Sequence, residues 1–299
     1  MGQYSIKELE RLSGIKAHTI RIWEKRYNIL DPSRTDTNIR SYSDEDLKKL
    51  LNLSLLYRHG DKISKLSKLS IEQLNERIQN LTEQIDDVES YLEQLTICMI
   101  EMDEAKFEKQ LSRYILKFGF EKTVLDVVFP FLKRVGILWL SDNINPIQEH
   151  FISHLIRQKI IVAIDSLPMH KEKGTPKVML FLPENELHEI SLLFYHYLVR
   201  KMGLNTFYLG QHVPVRSLVE AASIYKPDYL ISNFSYSPEY DRLNEYIDSL
   251  STKFKNCHIY LTGYPIRVYE GEVPSNVHIF EDAEDLMHQF GKVMNAANS

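Results

Sequence analysis

The stretch Lys177-Val-Met-Leu-Phe-Leu-Pro-Glu-Asn-Glu186-Leu-His188-Glu-Ile-Ser191 joins an unbroken apolar run to a loop dense in ionisable side chains. A short apolar run closed by a proline is the pattern of a strand buried on both faces. Further runs of this kind are read at 205–208, 229–233, 258–262 and 278–280, with amphipathic helices predicted at 189–202, 214–225, 238–253 and 283–296. Strands alternating with helices predict a doubly wound parallel sheet, whose ligands bind at the carboxyl ends of the strands. Glu186 and His188 follow the first strand and so fall at that end. A carboxylate two residues before a histidine can hold one ring nitrogen and turn the other toward a metal. An exposed polar loop would carry the same residues without any such role.

Upstream, a polar linker at 169–175 separates the sheet region from a long helical stretch. Ser70-Ile-Glu-Gln73 reads as a capping box, and four helices are predicted near 71–100, 103–117, 120–138 and 146–166. Asn145 and Pro146 supply the N-cap and first position of the last of these. The whole reads as a small helical bundle. Within it nine residues separate Trp139 from the dipeptide Glu149-His150. A lone tryptophan is as readily core as site.

The first 70 residues follow a third pattern. Ser5-Ile-Lys-Glu8 is a capping box, Ile6, Leu9 and Leu12 form one apolar stripe, and Ser13-Gly14 stops the helix. A second helix at 17–27 sets Ile20, Trp23 and Tyr27 on one side and leaves His18, Thr19, Arg21, Lys25 and Arg26 on the others. Two short helices across a tight turn predict a helix-turn-helix, although a plain helical hairpin has the same pattern. A turn-rich stretch then presents Arg34, Arg40 and Tyr42 before Ser43 caps a third helix at 44–58. Such a segment suits a wing lying along a phosphate backbone. The charge is uneven in the same sense: residues 1–80 carry 15 Lys and Arg against 11 Asp and Glu, and the remainder carries 21 against 30. A basic head on an acidic body fits a polyanion that meets the head alone.

The 299 residues, 43% hydrophobic and 26% charged, exclude wholesale disorder, and 11 Gly with 11 Pro exclude a collagenous chain. No run approaches the ~18 apolar residues that a membrane helix needs. The opening MGQYSIKELE lacks the apolar core of a secretory signal, which predicts a cytoplasmic protein with no membrane partner. Cys98 and Cys257 stand far apart, so neither a disulfide framework nor a zinc site is predicted.

Ile20-Arg21-Ile22-Trp23-Glu24, the Pro-x-Arg turn ending at Arg34 and the Arg40-x-Tyr42 pair resemble the DNA-binding domain of MerR-family transcription regulators over residues 4–69. The resemblance implies that the second helix enters the major groove through His18, Thr19, Arg21, Lys25 and Arg26, and that Arg34, Arg40 and Tyr42 of the wing meet DNA. Two positions depart from the family: Lys16 stands where a Ser or Thr usually caps helix two, and Ile22 where an aromatic usually follows the Arg.

The bundle with Trp139 and Glu149-His150, followed by a sheet with Glu186-x-His188, resembles the cobalamin-binding module with its flavodoxin-like sheet. The domain order is similar to that of the MerR-type cobalamin photoreceptors. That family carries Asp/Glu-x-His-x-x-Gly, then Ser-x-Leu/Thr, then Gly-Gly; here Ser191 replaces the first glycine, Ser232 stands with Phe234, and Gly263 is followed by Tyr264. The resemblance implies cobalamin as cofactor, His188 as the lower cobalt ligand oriented by Glu186, Ser232 and Gly263 along the nucleotide tail, and Trp139, Glu149 and His150 over the upper face. It implies added bulk from Ser191 and Tyr264 in the tail slot. Leu140 stands where the light-responsive members place a histidine after the tryptophan, so no adduct through two protein histidines is expected.

The fold class expected is therefore multidomain α and α/β: a winged helix-turn-helix head at 1–70, a four-helix bundle at 71–168 and a cobalamin-binding-like sheet domain at 176–299. The expected partners are double-stranded operator DNA, a second copy of the chain in a dimer or tetramer, and RNA polymerase at the promoter. Catalysis is not required. The competing expectation is a MerR-type regulator whose sheet module is degenerate and serves only assembly or another signal.

Overall fold

A computed structural model describes residues 3–34, 38–82, 87–140, 144–168, 174–235 and 243–297. The chain divides into two compact units, Met1–Leu155 and Ile156–Ser299.

The first unit opens with β1 (Gln3–Tyr4), α1 (Ile6–Ser13), α2 (Ala17–Tyr27), β2 (Ser33–Arg34), β3 (Arg40–Ser43) and α3 (Asp44–Arg58). Both predicted capping devices form at α1: Glu8 accepts from the Ser5 amide at 2.6 Å, and Gly14, at φ 70°, takes the left-handed turn that ends the helix. β3 pairs antiparallel with both β1 and β2, which makes the wing a three-stranded sheet. The departure at Lys16 is met from elsewhere. Lys16 makes no side-chain cap bond, and Glu10 of α1 instead accepts from the Ala17 amide at 3.1 Å and pairs with Lys16 at 3.2 Å. That amide bond is the main force holding the Glu10 carboxyl below the usual carboxylate range.

α4 (Ile63–Leu66) and α5 (Ile71–Thr82) follow, then α6 (Val88–Glu101), α7 (Glu104–Phe118) and α8 (Phe120–Thr123). A π-helical turn, Val124–Val128, runs α8 into α9 (Phe129–Leu140), and α10 (Pro146–Asp165) closes the helical region. One expectation needs correction: the helix predicted near 71–100 is two helices. Asp87 starts α6 afresh, accepting from the Ser90 amide at 2.9 Å and its hydroxyl at 2.6 Å, and an N-cap of this strength sets a boundary that apolar periodicity does not register. α5 packs on α3 of the head, while α6 packs on α3, α7 and α9. The Asn145 N-cap forms as predicted, with its Oδ1 accepting from the Ile147 amide at 3.0 Å.

α3 is buried on nearly every face, through Leu47, Leu50, Leu51, Leu53, Leu55 and Leu56, because α1, α5 and α6 all pack against it. Its contact with α6 includes a buried ion pair. Glu93 has no exposed surface, accepts from Ser54 Oγ at 2.8 Å and is bonded to Arg58. Burial pushes its carboxyl up to about 8 even with Arg58 opposing the shift.

The second unit contains β4 (Lys177–Pro183), α11 (Ile190–Lys201), β5 (Asn205–Val213), α12 (Val215–Tyr225), β6 (Tyr229–Asn233), α13 (Leu243–Lys253), β7 (His258–Thr262), α14 (Tyr264–Arg267), β8 (Val277–Ile279) and α15 (Ala283–Ala297). The five strands run parallel in the order β5-β4-β6-β7-β8. The chain steps from β4 outward to β5 and then back to β6, so the strand order reverses between β4 and β6. Crevices at such reversals are where open α/β sheets bind ligands. Met179, Phe181, Leu230, Ile259 and Leu261 form the centre of a core cluster and are fully buried.

Candidate functional site

Two surfaces carry the residues predicted to act. On α2 the side chains of His18, Arg21, Ile22, Lys25 and Arg26 are exposed, while Ile20 and Trp23 are buried. Positions 18, 21, 22 and 25 recur at helical spacing and so share one face. Trp23 lies edge-on to Tyr57 at 5.0 Å, which anchors the helix to α3 and leaves the basic face outward. Thr19 is half-buried beside that face.

The wing residues divide. Arg34 is exposed, donating to Asn38 at 2.7 Å. Arg40 is half-buried and gives a forked pair of bonds to Glu24 at 3.0 and 3.1 Å. Tyr42, expected against DNA, is 1% exposed and donates to the same carboxylate at 3.0 Å. Its role is corrected accordingly: with Arg40 it fixes the wing to α2 through Glu24. Nothing local in the sequence marks Glu24 as that anchor, since its partners stand 16 and 18 positions away.

In the sheet unit the loop after β4 is built around one carboxylate. Glu186 is 5% exposed, and its Oε1 lies 2.7 Å from His188 Nδ1 and accepts from the His188 amide at 2.9 Å. Its Oε2 accepts from the Ser235 amide in the loop after β6, at 2.8 Å. The carboxylate thus spans the reversal point between β4 and β6. The end of β5 holds the same loop from the other side: His212 Nδ1 accepts from the Asn185 amide at 2.9 Å, and the Glu186 carbonyl accepts from the His212 amide at 3.2 Å. The His188 side chain itself is 75% exposed. Next along the chain, Glu189 is buried, accepts from Tyr208 at 2.7 Å and lies 2.6 Å from Arg157 of α10. Burial drives the Tyr208 hydroxyl upward.

Ser232, at the end of β6, is fully buried and its Oγ has no hydrogen-bond partner among the described residues. A buried hydroxyl left without a partner costs free energy and marks a place where a ligand atom would be gained as a partner. Gly263, at the end of β7, has φ 107°, and a Cβ there would stand 1.9 Å from the Phe234 carbonyl oxygen. No other residue fits. Tyr264, the residue expected to add bulk to the tail slot, is 61% exposed, and Gly263 lies against the backbone of Phe234. Ser191 is half-buried in the first turn of α11.

In the helical region His150 Nδ1 lies 2.7 Å from Glu149 Oε2, and His150 is exposed. Trp139 and Leu140 belong to α9, and their side chains lie outside the described residues. No group of three or more His, Cys, Asp or Glu among the described residues could hold a metal ion alone. The group expected at this loop is a corrinoid, whose cobalt would take one ligand from the protein. Glu186 with His188, the unpartnered Ser232 hydroxyl and Gly263 fit such a group.

Comparison with known proteins gives two family matches: "MerR HTH family regulatory protein" over residues 4–70 and "B12 binding domain" over residues 91–163. The chain is 26% identical to the HTH-type transcriptional repressor CarH of Myxococcus xanthus, over 94% of this chain and 96% of that protein. It is 24% identical to CarA of the same organism, over 98% of both. Among solved structures, the Methanosarcina barkeri monomethylamine corrinoid protein superposes with a TM-score of 0.56 at 16% identity, covering 69% of this chain and all of that one. That likeness is one of fold. No helix among the described residues is long and apolar enough to cross a membrane.

Proposed function

We propose that the chain, similar to CarH and CarA and matching the MerR HTH and B12 binding domain families, is a transcription regulator whose affinity for operator DNA responds to bound cobalamin. The observation that carries the cofactor half is the Glu186 carboxylate, buried across the strand-order reversal and holding His188 Nδ1 at 2.7 Å. A cobalamin would supply a cobalt able to exchange ligands. With Nδ1 engaged by Glu186, His188 would coordinate through Nε2, and the carboxylate would fix the tautomer and raise the basicity of the ring. Ser232 and Gly263 would meet the nucleotide tail, and Trp139, Glu149 and His150 the opposite face of the corrin.

On the DNA side, His18, Thr19, Arg21, Lys25 and Arg26 would address the major groove and Arg34 the phosphates, with Arg40 placed by Glu24. The regulator would work in the cytoplasm as a dimer or tetramer on an inverted repeat, with RNA polymerase as its other partner at the promoter. This function needs no catalytic step.

Purified protein mixed with adenosylcobalamin in the dark and passed through a desalting column tests the reading. Retained colour at one cobalamin per chain, lost in His188→Ala, supports it. A second reading rests on Phe234, whose backbone occupies the space beside Gly263: a module closed to cobalamin and used for assembly. Protein that stays colourless with every cobalamin form would favour it.

A further inference from the structure

A second cavity lies wholly within the first unit, between the head and the helices that follow it. Its volume is about 770 Å³, and it is walled by the end of α2, one face of α3, and parts of α5, α6 and α7. Ile29, Leu30, Leu74 and Ile78 are buried side chains of its apolar wall. Gln94 of α6 also lines it, is only 9% exposed, and has an amide nitrogen with no hydrogen-bond partner among the described residues. A buried amide donor without a partner is uncommon because it forfeits its water bonds and gains nothing in return. Its residue lines a space large enough for a ligand.

Charge indicates what kind. The α7 wall contributes Lys106, Lys109, Gln110 and Arg113 and no carboxylate. Four carboxylates among the described residues also line the cavity: Asp46 caps α3, accepting from the Ser43 and Asp31 amides at 3.0 Å each, Glu101 pairs with Lys48 at 2.6 Å and Lys106 at 3.0 Å, Glu45 lies 3.8 Å from Lys48, and Asp31 is exposed. Lys49 and Lys109 are exposed and have no ion-pair partner among the described residues. A donor at the buried side, uncommitted ammonium groups and an apolar wall together match an amphipathic anion: an aromatic or aliphatic body bearing a carboxylate, sulfonate or phosphate.

We propose that this cavity is a second ligand site, for an amphipathic anion, distinct from the corrinoid site. Because Asn28 to Asp31 link α2 to the wing and also line the cavity, an occupant would brace the recognition helix against α3 and alter operator affinity. That second clause rests on the DNA-binding reading, whereas ligand binding does not.

The probe is 8-anilinonaphthalene-1-sulfonate, titrated into the full-length protein by fluorescence, with cobalamin present to occupy the other site. One saturable site is expected. Lys109→Glu should weaken it at least tenfold, and Gln94→Leu at least fivefold while raising the melting temperature, since it deletes the unpartnered donor. The gain in melting temperature shows that the variant folds, and Lys109 is exposed, so neither result can be blamed on misfolding. Unchanged binding in both variants, or equal binding of a cationic dye of similar size, overturns the site. Operator affinity should shift severalfold when the probe saturates the protein. An unchanged affinity with the binding pattern intact overturns the link to DNA, and loss of operator binding with or without probe instead counts against the DNA-binding reading.

Discussion

His18, Arg21, Lys25 and Arg26 are each exposed along α2, so on the proposed reading DNA recognition by this helix would be spread over several side chains. In the sheet unit everything passes through one carboxylate, since Glu186 holds the ring of His188, its amide and the amide of Ser235 together. A distributed surface degrades in steps as residues are removed, whereas a concentrated one fails at a single substitution. The difference would follow from the proposed ligands: DNA offers a row of phosphates and base edges, and a corrinoid cobalt would take one protein ligand.

The sharpest consequence is at His188. His188→Ala should weaken cobalamin retention by more than about 100-fold, because the metal loses its one strong protein ligand. Equilibrium dialysis checks this, and affinity within a few fold of wild type would break the contrast. Glu186→Ala should cost about 10- to 100-fold in the same assay, the usual range for a residue that orients a metal ligand. It should also loosen the Ser235 loop, visible as faster amide exchange there. An effect confined to one of these readouts would mean that the carboxylate is not shared.

The two units should also answer pH in opposite directions. Glu93 has its carboxyl raised to about 8 by burial, so the folded first unit binds a proton that the unfolded chain has released; stability is full below about 4.5 and is lost as pH rises toward 8. His196 in the second unit lies 2.9 Å from Thr206 Oγ1, and burial lowers its ring to about 4. Its contribution is full above about 6.5 and is lost as pH falls toward 4. Thermal unfolding followed by hydrogen exchange from pH 5 to 8 should show the first unit weakening upward and the second weakening downward. Glu93→Gln should flatten the first slope and leave the second. Parallel slopes in both units would contradict the assignment.

The smallest effect belongs to the wing. Arg34→Ala should weaken operator and non-operator DNA alike, by about threefold, and reduce the salt slope by about one. Glu24→Ala should cost more than Arg34→Ala although Glu24 is itself anionic, because Arg40 and Tyr42 lose their common anchor. If removing that negative charge strengthened binding, the anchor would be of no consequence.

What could be read from the residues alone divides by range. The capping boxes at Ser5 and Ser70, the N-cap at Asn145, the left-handed stop at Gly14 and the alternation of strands and helices are local patterns, and each formed where predicted. The pairing of Glu186 with His188 was legible for the same reason, being two residues apart. Its third bond, to Ser235, spans 49 residues and only the sheet topology brings it into being. Tyr42 was placed against DNA because an exposed wing and a buried one have the same sequence pattern; the distant Glu24 decides between them. Likewise Glu10 replaced the missing cap at Lys16 from a neighbouring helix, and Asp87 divided what apolar periodicity read as one helix.

The central claim is that His188, oriented by Glu186, is the axial ligand of a bound cobalt. Electron paramagnetic resonance of the full-length protein loaded with cob(II)alamin, after labelling every histidine with nitrogen-15, tests it most directly. The account predicts that each cobalt hyperfine line splits into a doublet from one imidazole nitrogen, and that His188→Ala loses this pattern. A triplet from unlabelled nitrogen in the wild-type protein would mean that the cofactor keeps its own base, and the claim would be wrong.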